Sequence, residues 1–269
     1  MNRPQYHIST PTPATLRTDV ANTARMYNYW LGGKDNFAVD REAAEAIVRV
    51  MPEVLDSARA NRAFLQRAVR FLAMSGIRQF LDLGTGFPSG SNVHEIAQSV
   101  NADARVAYVD NDPVVVSHAI ALLAKNSQTH AIGTDFRDPD AVLGQTRDLL
   151  DFSKPIAVLF LCSLHLIADD DDPVGVVGQY LKALPAGSYL AISHATNDIS
   201  PASMRANATE ADRRGTTFVP RSRAAIERMF HGTELVDPGL VLVPNWRPDY
   251  GDPGPSAGKA WVYGGVALV

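Results

Sequence analysis

Apolar and polar residues alternate in blocks along most of this chain, and the blocks change character near Gly76. Beyond that residue, short apolar runs such as Arg105 to Asp110, Ile156 to Leu161 and Gly187 to His194 are separated by longer stretches with helical spacing. Short apolar runs of this kind are typical of strands that are buried on both faces of a parallel sheet. The pattern therefore predicts an α/β fold, in which helices cover both faces of a mostly parallel sheet.

The chain before Gly76 is predicted to be helical. Helix formers dominate Arg41 to Val50, and the apolar positions of Ser57 to Ala73 recur at helical intervals. The first eighteen residues are rich in proline, threonine and serine, a composition typical of a loose tail. We therefore expect a flexible tail over residues 1–18, an N-terminal helical cover over 19–75 and a sheet-containing domain over 76–269.

The last part of the chain is expected to complete the sheet. Leu235 to Val243 and Ala260 to Leu268 have the pattern of two strands, which we expect to form an antiparallel hairpin at one sheet edge. The loop between them, residues 244–258, carries Trp246 among prolines and glycines. A long loop of this composition is expected either to close over a substrate or to be a plain surface loop.

The most informative motif is a glycine-rich turn directly after the first predicted strand, in the segment FLDLGTGFP. The apolar run carries Asp82, and Gly84, Thr85 and Gly86 follow it. Glycine allows a ligand to approach the backbone closely, because it has no Cβ atom. An acid beside the turn would repel a pyrophosphate and suits a ligand that carries an ammonium group. A tight turn without a ligand is the alternative interpretation.

The second predicted strand also ends in an acid. Asp110 closes the segment RVAYVD and lies where nucleotide-binding sheets place a carboxylate on ribose hydroxyls. A carboxylate can accept hydrogen bonds from both hydroxyls of a diol. Asn111 follows and is expected beside the base, whereas Asp112 and Pro113 have the pattern of a helix start. An ordinary strand-end acid is the alternative for Asp110.

The acid and glycine turn resemble motif I of class I S-adenosylmethionine-dependent methyltransferases, in which the acid faces the methionine end of the cofactor. The resemblance implies that an acid after the third strand accepts a hydrogen bond from the adenine amino group, and that the next residue contacts the ring. Asp135 and Phe136 occupy these positions. Asp138 is a rival for the adenine, and both acids could be loop or cap residues. We prefer Asp135 because it lies directly at the strand end.

The segment after the fourth strand carries the candidate base. Its apolar run leads into Cys162, Ser163 and His165, at the sheet edge where parallel sheets bind ligands. His165 titrates near neutrality in solution and resembles the histidine that serves as a base in phenolic O-methyltransferases. A histidine that only shapes the pocket is equally expected. His194, after the fifth strand, is a second candidate whose expected role is a structural hydrogen bond. Cys162 and Ser163 are counted among the cofactor-binding candidates.

Four consecutive acids, Asp169 to Asp172, stand before Pro173. Neighbouring carboxylates in a sequence point in divergent directions, which makes a shared metal ion difficult to coordinate. Negative charge is also favoured at the start of a helix. We therefore expect a solvated helix start here, and no metal ion.

Composition and charge narrow the class of partner. The chain has 269 residues, of which 46% are hydrophobic, with a net charge of −4 and a pI near 6.0. General nucleic-acid binding normally needs a basic face, so nucleic acid is not expected as a partner. The sequence carries no apolar run of membrane-spanning length and no signal-peptide core, so no membrane is expected and the cytoplasm is the expected compartment. Its one cysteine, Cys162, cannot form an intrachain disulfide.

A second informative stretch lies before the sheet. The segment ARMYNYWLGGKDNFAVD carries polar and aromatic candidates at Tyr27, Asn28 and Lys34. Asn61 and Arg62 place an amide and a guanidinium on a predicted helix. We expect these five residues on the inner side of the helical cover, with Arg62 meeting the methionine carboxylate of the cofactor. Core aromatics and solvated polar residues are the alternative.

Several longer segments make the chain similar to one family in particular. YNYWLGGKDNFAVDREAAE, GIRQFLDLGTGFPSGSNVHEIAQ, RVAYVDNDPVVVSHAIALL and NWRPD together resemble an actinobacterial family of S-adenosylmethionine-dependent methyltransferases, formerly named only as a domain of unknown function. The resemblance implies a Rossmann-like class I core with a seven-stranded sheet, an N-terminal helical cover and S-adenosylmethionine as cofactor. It does not imply an acceptor. Members often end in a basic tail, whereas this chain ends in YGGVALV.

The sequence as a whole predicts a methyltransferase that acts on a small-molecule acceptor, at oxygen or nitrogen rather than carbon. A methyl sulfonium is already electrophilic, so the protein's main task is to align it with the acceptor. A non-catalytic sensor of S-adenosylmethionine is one alternative. A nicotinamide-dependent oxidoreductase is another, disfavoured by Asp82 and by Ser89 in place of a third glycine. The sequence leaves open whether the chain forms a homodimer.

Overall fold

The computed structural model describes residues 17–88, 90–123, 127–249 and 260–269, apart from the side chains of residues 122 and 123. Of the expected tail, residues 1–16 lie outside the described residues, and so do residues 250–259 of the loop expected before the last strand. The described part begins with helices and continues with alternating strands and helices, as the hydrophobic pattern predicts.

Three helices precede the sheet: α1 (Thr23–Trp30), α2 (Ala38–Val50) and α3 (Val54–Met74). The side chain of Asn22 caps α1, because its oxygen accepts hydrogen bonds from the first backbone N–H groups of the helix. The carboxylate of Asp40 accepts backbone N–H groups just before α1 and α2, at 2.9 and 2.8 Å. These bonds fix α1 on α2. None of the described helices is long and apolar enough to cross a membrane.

The described residues form one sheet of eight strands. Its strands are β1 (Gln79–Leu83), β2 (Arg105–Asp110), β3 (Thr129–Gly133), β4 (Ala157–Leu161), β5 (Tyr189–Ala195), β6 (Glu234–Leu235), β7 (Val241–Leu242) and β8 (Val262–Leu268). The remaining α-helices are α4 (Val93–Val100), α5 (Pro113–Leu123), α6 (Pro139–Thr146), α7 (Pro173–Lys182), α8 (Pro201–Arg213) and α9 (Arg223–Glu227). Short 3₁₀ helices cover Leu164–Leu166, Asp169–Asp171, Arg228–Phe230 and Val243–Asn245.

The strands lie in the order β3-β2-β1-β4-β5-β8-β6, with β7 also paired to β8. Strands β1 to β5 are parallel, and β8 runs antiparallel beside β5. The strand order changes direction between β1 and β4. In open parallel sheets such a reversal leaves a crevice at the carboxyl ends of the strands, where ligands bind.

The last edge of the sheet differs from the expected hairpin. The sequence predicts one strand over Leu235 to Val243, whereas the structure has two short strands there, β6 and β7, both antiparallel to β8. Pro238 and Gly239 interrupt the strand, because proline has no backbone N–H to donate and Gly239 has a φ of +81°. The sheet therefore has eight strands rather than seven, although β6 and β7 share one edge.

Apolar layers cover both faces of the sheet. One layer is built on α3, where Phe64, Ala68 and Leu72 are fully buried against strand residues. The other contains buried residues of α6, α7 and α9, such as Val142 and Tyr180. A third, smaller cluster joins α1, α2 and α8 next to the carboxyl edge of the sheet. The cover expected over residues 19–75 is thus extended by α8, and from here on the term includes this helix.

Candidate active site

The backbone of the glycine turn is fixed by hydrogen bonds to β2. The N–H groups of Gly84 and Thr85 both donate to the carbonyl oxygen of Val109, at 2.9 and 3.2 Å. Gly84 and Gly86 have φ values of +76° and +66°, which residues with a side chain rarely adopt. A Cβ atom on Gly84 would also lie 2.5 Å from the Cβ atom of Ser163. The turn therefore requires glycine at Gly84 for both its conformation and its packing.

Asp110 holds this turn from the end of β2. One of its carboxylate oxygens accepts the N–H of Gly86 and the other accepts the N–H of Asp112, both at 2.9 Å. Burial raises the pKa of Asp110 to about 6, against the lowering effect of these backbone hydrogen bonds. Each oxygen of a carboxylate can accept more than one hydrogen bond. Asp110 can therefore hold the turn and still accept hydrogen bonds from a ligand diol.

Asp82 lies next to the same turn, near the end of β1. Asp82 is only 5% exposed, and burial raises the pKa of its carboxyl group to about 7. The positive charge of Arg62 on α3 and a hydrogen bond from Thr85 lower that pKa only in part, and the nearby Asp110 raises it. A buried carboxyl gains most from a ligand cation, because an opposite charge favours its ionised form.

Asp135 and Asp138, the two candidates for contact with the adenine, have different positions in the loop after β3. Burial raises the pKa of Asp135, but hydrogen bonds from Arg137 and Asn111 and the charge of Arg137 outweigh it, so the pKa lies below its ordinary value. The Arg137 guanidinium lies 2.6 Å from the Asp135 carboxylate. Asp138 instead caps α6, where it accepts the N–H of Ala141 at 3.0 Å. Of the two acids, Asp135 is the one that lines the cleft.

Cys162 and Ser163 follow β4 directly. Cys162 has a φ of +59°, and its backbone N–H lies 2.9 Å from the hydroxyl oxygen of Ser193. Burial raises the pKa of the Cys162 thiol to about 12, so this thiol remains protonated and is not a nucleophile at neutral pH. Ser163 is 1% exposed and packs against Gly84 of the glycine turn, so this predicted cofactor-binding residue does not line the cleft.

A chain of hydrogen bonds joins the cover to the sheet. The Ser193 hydroxyl donates to Asn61 at 2.6 Å, the Asn61 amide donates to the Tyr27 hydroxyl at 3.0 Å, and that hydroxyl donates to the carbonyl of Ala58 at 3.0 Å. Burial raises the pKa of Tyr27 far above its ordinary value, so its hydroxyl remains neutral. The chain fixes α1 and α3 relative to β5 at the wall of the cleft.

His165 lies in the 3₁₀ helix after β4 and is 8% exposed. Its Nδ1 atom accepts the backbone N–H of Ala195 at 3.3 Å, which places the proton of the neutral ring on Nε2. Burial, together with the nearby His194 and Arg221, lowers the pKa of His165 well below its ordinary value. The ring is therefore uncharged at neutral pH and carries an N–H donor.

Arg221 fixes the segment that carries His165. Its buried guanidinium donates to the carbonyl oxygens of Leu164 at 3.1 Å and Ile167 at 2.8 Å. It also donates to the carboxylate of Asp169 at 2.7 Å. Arg221 thus holds both sides of His165, although no motif in the sequence marks it for this role.

His194 does not reach the cleft. Its Nδ1 donates to the carbonyl of Ala195 at 2.7 Å, and its Nε2 accepts from Arg221 at 3.0 Å. Burial lowers its pKa to about 3, so it remains neutral. Its ring lies edge-on to His165, with ring centroids 5.4 Å apart. His194 therefore makes the structural hydrogen bonds expected of it, and the structure does not place it as a second base.

The ends of the parallel strands open into one cleft of about 420 Å³. Small-molecule sites in proteins are typically about 300–1,000 Å³. Most of the predicted site residues line this cleft: Tyr27, Asn61, Arg62, Asp82, Gly84, Thr85, Gly86, Asp110, Asn111, Asp135, Phe136, Cys162 and His165. They come from four strand ends and two helices, and only the fold places them together.

Asn28 and Lys34 lie outside the cleft. Asn28 is buried and shapes the loop after α1, since its Oδ1 accepts the N–H of Asp35 at 3.0 Å and the amide of Asn36 at 2.9 Å. Lys34 is exposed on that loop. The prediction that they face a ligand is therefore wrong, because the paired glycines here form an ordinary turn stabilised by Asn28.

Trp246 is also wrongly predicted to face a substrate. It is fully buried, and its ring packs edge-on to Phe64 and Phe71 with centroid distances of 5.3 and 5.8 Å. Arg67 of α3 donates to its carbonyl oxygen at 2.9 Å. The large apolar area of an indole is most stable in the layer between α3 and the sheet, which explains this position.

The acidic run after His165 is tied to neighbouring elements. Asp169 pairs with Arg221 at 2.7 Å, and Asp171 pairs with Arg137 at 3.1 Å. Asp172 caps α7, as predicted, by accepting the N–H of Gly175 at 3.0 Å. Over the described ranges, no group of three or more His, Cys, Asp or Glu side chains is placed to hold a metal ion.

A further set of cleft residues was not predicted from the sequence. They share an apolar or amide side chain and a position in the cover: Met26, Met51, Met204, Asn207, Phe218 and Trp261. Their segments have only the spacing of ordinary amphipathic helices and loops, so no motif marks them. These side chains lie close together only because α1, α2 and α8 pack against one another.

An open α/β sheet of this strand order, with an acid, a glycine turn and a second acid at its carboxyl edge, defines a Rossmann-like nucleotide-binding enzyme. A sequence model of the family described as "S-adenosyl methyltransferase" matches residues 9–269. The chain therefore belongs to the S-adenosyl methyltransferase family, and it is an enzyme that uses S-adenosylmethionine as cofactor. No curated protein matches the chain in a sequence search.

Solved structures agree with this family. A DUF574 family protein from Streptomyces avermitilis is 42% identical, with a TM-score of 0.91, over 94% of this chain and 99% of that chain. A candidate methyltransferase from Thermobifida fusca is also 42% identical, with a TM-score of 0.88, over 97% of this chain and 99% of that chain. Mitomycin 7-O-methyltransferase, at 14% identity and a TM-score of 0.50, over 81% of this chain and 56% of that chain, shares the fold.

Proposed function

We propose that this methyltransferase methylates an oxygen or nitrogen atom of a small molecule. The observation that carries the proposal is the cleft, which begins at the glycine turn and continues between α1, α2 and α8. Its volume of about 420 Å³ suits a cofactor together with a compact acceptor. The net charge of −4 supports a small molecule over nucleic acid, which normally requires a basic face.

The residues around the glycine turn fit the methionine end of S-adenosylmethionine. We assign the Asp82 carboxylate to the ammonium group, because the buried acid gains from an opposite charge. We assign Arg62, whose charge already acts on Asp82, to the methionine carboxylate. The glycine turn lets the ligand approach the backbone at Gly84 and Gly86, where side chains would block it.

The nucleoside end fits the neighbouring strand ends. Asp110 retains lone pairs for the ribose hydroxyls after accepting its two backbone N–H groups. Asn111 follows Asp110 and bonds to Asp135, so the two acids and the amide form one polar edge. We assign this edge to the ribose and the adenine amino group, with Phe136 beside the ring.

When bound, the cofactor supplies an electrophilic methyl group on a positively charged sulfur. The chain's own contribution is to exclude water and to align the acceptor. The hydrogen bonds through Tyr27, Asn61 and Ser193 hold the cover against the sheet. His165, whose ring lies 5.3 Å from that of Phe218, stands between the polar and apolar parts of the cleft. Because its ring is neutral, His165 is suited to orient the acceptor by donating a hydrogen bond from Nε2–H. Its role as a base stays a prediction.

Calorimetry with the purified protein tests the cofactor site. We expect S-adenosylmethionine and S-adenosylhomocysteine to bind, and NADH not to bind, because the acid beside the turn opposes a pyrophosphate. An acceptor screen with labelled S-adenosylmethionine then tests turnover. Binding of NADH without either adenosyl ligand would overturn the assignment of the site.

Two matched variants test the nucleoside end. Asp135→Ala is expected to weaken S-adenosylhomocysteine about tenfold, because it removes a charged hydrogen-bond acceptor from the cleft. Asp138→Ala removes only a helix cap, so it should lower stability by about 1 kcal/mol and leave affinity unchanged. If Asp138→Ala weakened binding and Asp135→Ala did not, the assignment would be reversed. Asp110→Ala should weaken binding as well, since it loses both the ribose partner and the support of the turn.

A further inference from the structure

The cover has an apolar cluster that surrounds part of the cleft. Met26, Met51, Met204 and Trp261 belong to this cluster and are each at most 5% exposed, yet all four line the open space. Phe218 packs against the same cluster. We call these five residues the acceptor wall. An apolar ligand inside it would lose its contact with water on most sides, which is the main source of affinity for such ligands.

The side chains of the acceptor wall also favour a particular shape. Thioethers of methionine are flexible and polarizable, and they make favourable contacts with aromatic rings. The indole of Trp261 and the ring of Phe218 provide flat surfaces, on which another flat ring packs edge-on or offset. The acceptor wall therefore suits an aromatic ligand better than a branched aliphatic one.

The part of the cleft at the strand ends contains charged side chains, whereas the acceptor wall does not. In the part of the chain that the structure describes, the charged residues that line the cleft are Arg62, Asp82, Asp110, Asp135 and Arg137. All of them surround the strand ends that we assign to the cofactor. The acceptor wall contains none, and the adjoining His165 is neutral because burial lowers its pKa. A charged acceptor would be desolvated there without an opposite charge, which is strongly unfavourable.

A buried amide side chain lies beside the acceptor wall. Asn207 of α8 lines the cleft and is 4% exposed. Its amide nitrogen donates to the sulfur of Met51 at 3.5 Å, and a thioether is a weak acceptor. Among the described residues its side chain has no other hydrogen bond. A buried amide of this kind costs free energy unless a ligand supplies a partner.

We infer that the acceptor is an uncharged, flat aromatic molecule whose polar substituent is bound by the amide of Asn207. This inference rests on the proposed function and adds the class of substrate to it. Asn207 fixes the orientation of the ring within the acceptor wall, and His165 lies next to the wall, in contact with Phe218. The atom that receives the methyl group is then a hydroxyl oxygen or amine nitrogen on that ring.

Three probes of the same ring system test the inference. Protein saturated with S-adenosylhomocysteine is titrated with naphthol, naphthoate and naphthalene by calorimetry. Naphthol should bind at least about tenfold more tightly than naphthoate, because only the latter carries a charge into the wall. Equal affinities, or no naphthol binding by protein that binds S-adenosylhomocysteine, would overturn the acceptor class and leave the cofactor site intact.

A variant isolates the role of Asn207. Asn207→Leu should weaken naphthol about fivefold to tenfold and leave naphthalene as tight or tighter, because only naphthol loses a hydrogen bond. Arg205→Ala, on the exposed side of the same helix, is the control and should change neither. Equal weakening of both probes by Asn207→Leu would contradict a hydrogen bond from Asn207. The comparison of probes on the unaltered chain decides the acceptor class even if this variant does not fold.

Discussion

The guanidinium of Arg25 on α1 lies 3.4 Å from the carboxylate of Asp112, which follows Asp110 by two residues. The same guanidinium lies 2.9 Å from Asp40 of α2, and all three side chains are buried. Asp112 also caps α5 by accepting backbone N–H groups. Arg25 therefore joins the cover to the loop after β2, next to Asp110, which we assign to the ribose.

Arg25→Met is expected to lower the free energy of unfolding by about 3–5 kcal/mol, because two buried carboxylates lose their counter-charge. Urea denaturation measures the loss. Arg59→Met is the matched control, since its ion pair with Asp56 is exposed and should contribute less than about 1 kcal/mol. Equal effects of the two variants would show that the buried pair does not stabilise the cover.

The affinity for S-adenosylhomocysteine is expected to fall as the pH is lowered through the pKa of Asp82. Burial raises that pKa to about 7, and the ligand ammonium favours the ionised carboxylate. Binding should therefore be about tenfold weaker at about pH 6 than at about pH 8. Calorimetry across this range measures the change. Asp82→Asn should bind more weakly and with a smaller pH dependence; an unchanged dependence would assign the titration to another group.

In the absence of ligand, the ionised carboxylate of Asp82 should lower the free energy of unfolding, because burial disfavours its charge. Its pKa in the folded chain lies above the unfolded value, so its contribution to stability is present at low pH and is lost as the pH rises through about 7. Asp82→Asn should therefore be more stable than the unaltered chain by about 1–3 kcal/mol at about pH 8. Urea denaturation should show this difference shrinking towards about pH 5. A difference independent of pH would mean that the carboxyl does not ionise in the fold.

Replacement of His165 distinguishes a hydrogen-bond donor from a base. His165→Gln keeps an N–H donor, so it should retain more turnover than His165→Ala, which we expect to be slower by about tenfold to a hundredfold. Both variants should bind S-adenosylhomocysteine normally. The pH profile of kcat/KM provides the second readout. An inflection below the ordinary pKa range of histidine that both variants lose would show that His165 acts as the base.

Gly84→Ala should damage the cofactor site. The added Cβ atom would lie 2.5 Å from that of Ser163 and would require a φ of +76°. We expect a loss of stability of about 1–2 kcal/mol and at least about tenfold weaker cofactor binding. Gly144→Ala is the control, because nothing lies within 4 Å of its added Cβ and alanine is favoured inside α6. Binding by Gly84→Ala at full affinity would show that the turn tolerates a side chain.

Several features could be read from the sequence because their causes are local. The parallel strands are nearly continuous apolar runs, and β2 spans the predicted residues Arg105 to Asp110 without change. Asp82 and Asp110 can be recognised in the sequence because they lie at or next to the ends of β1 and β2, and parallel strands bring such ends to one edge. The prediction of a single strand over Leu235 to Val243 was wrong at Pro238. Proline has no backbone N–H to donate to a neighbouring strand, and this outweighs the apolar pattern.

The sequence by itself determined the order of strands and helices, the glycine turn and the acids beside it, since periodicity and special backbone conformations are properties of short segments. Only the tertiary structure decided which side chains enter the cleft. It placed Trp246 in the core and Asn28 under a turn, and it brought Asn207 into the wall of the cleft. These positions depend on contacts between segments far apart in the chain, where burial of apolar area and pairing of buried polar groups decide the outcome.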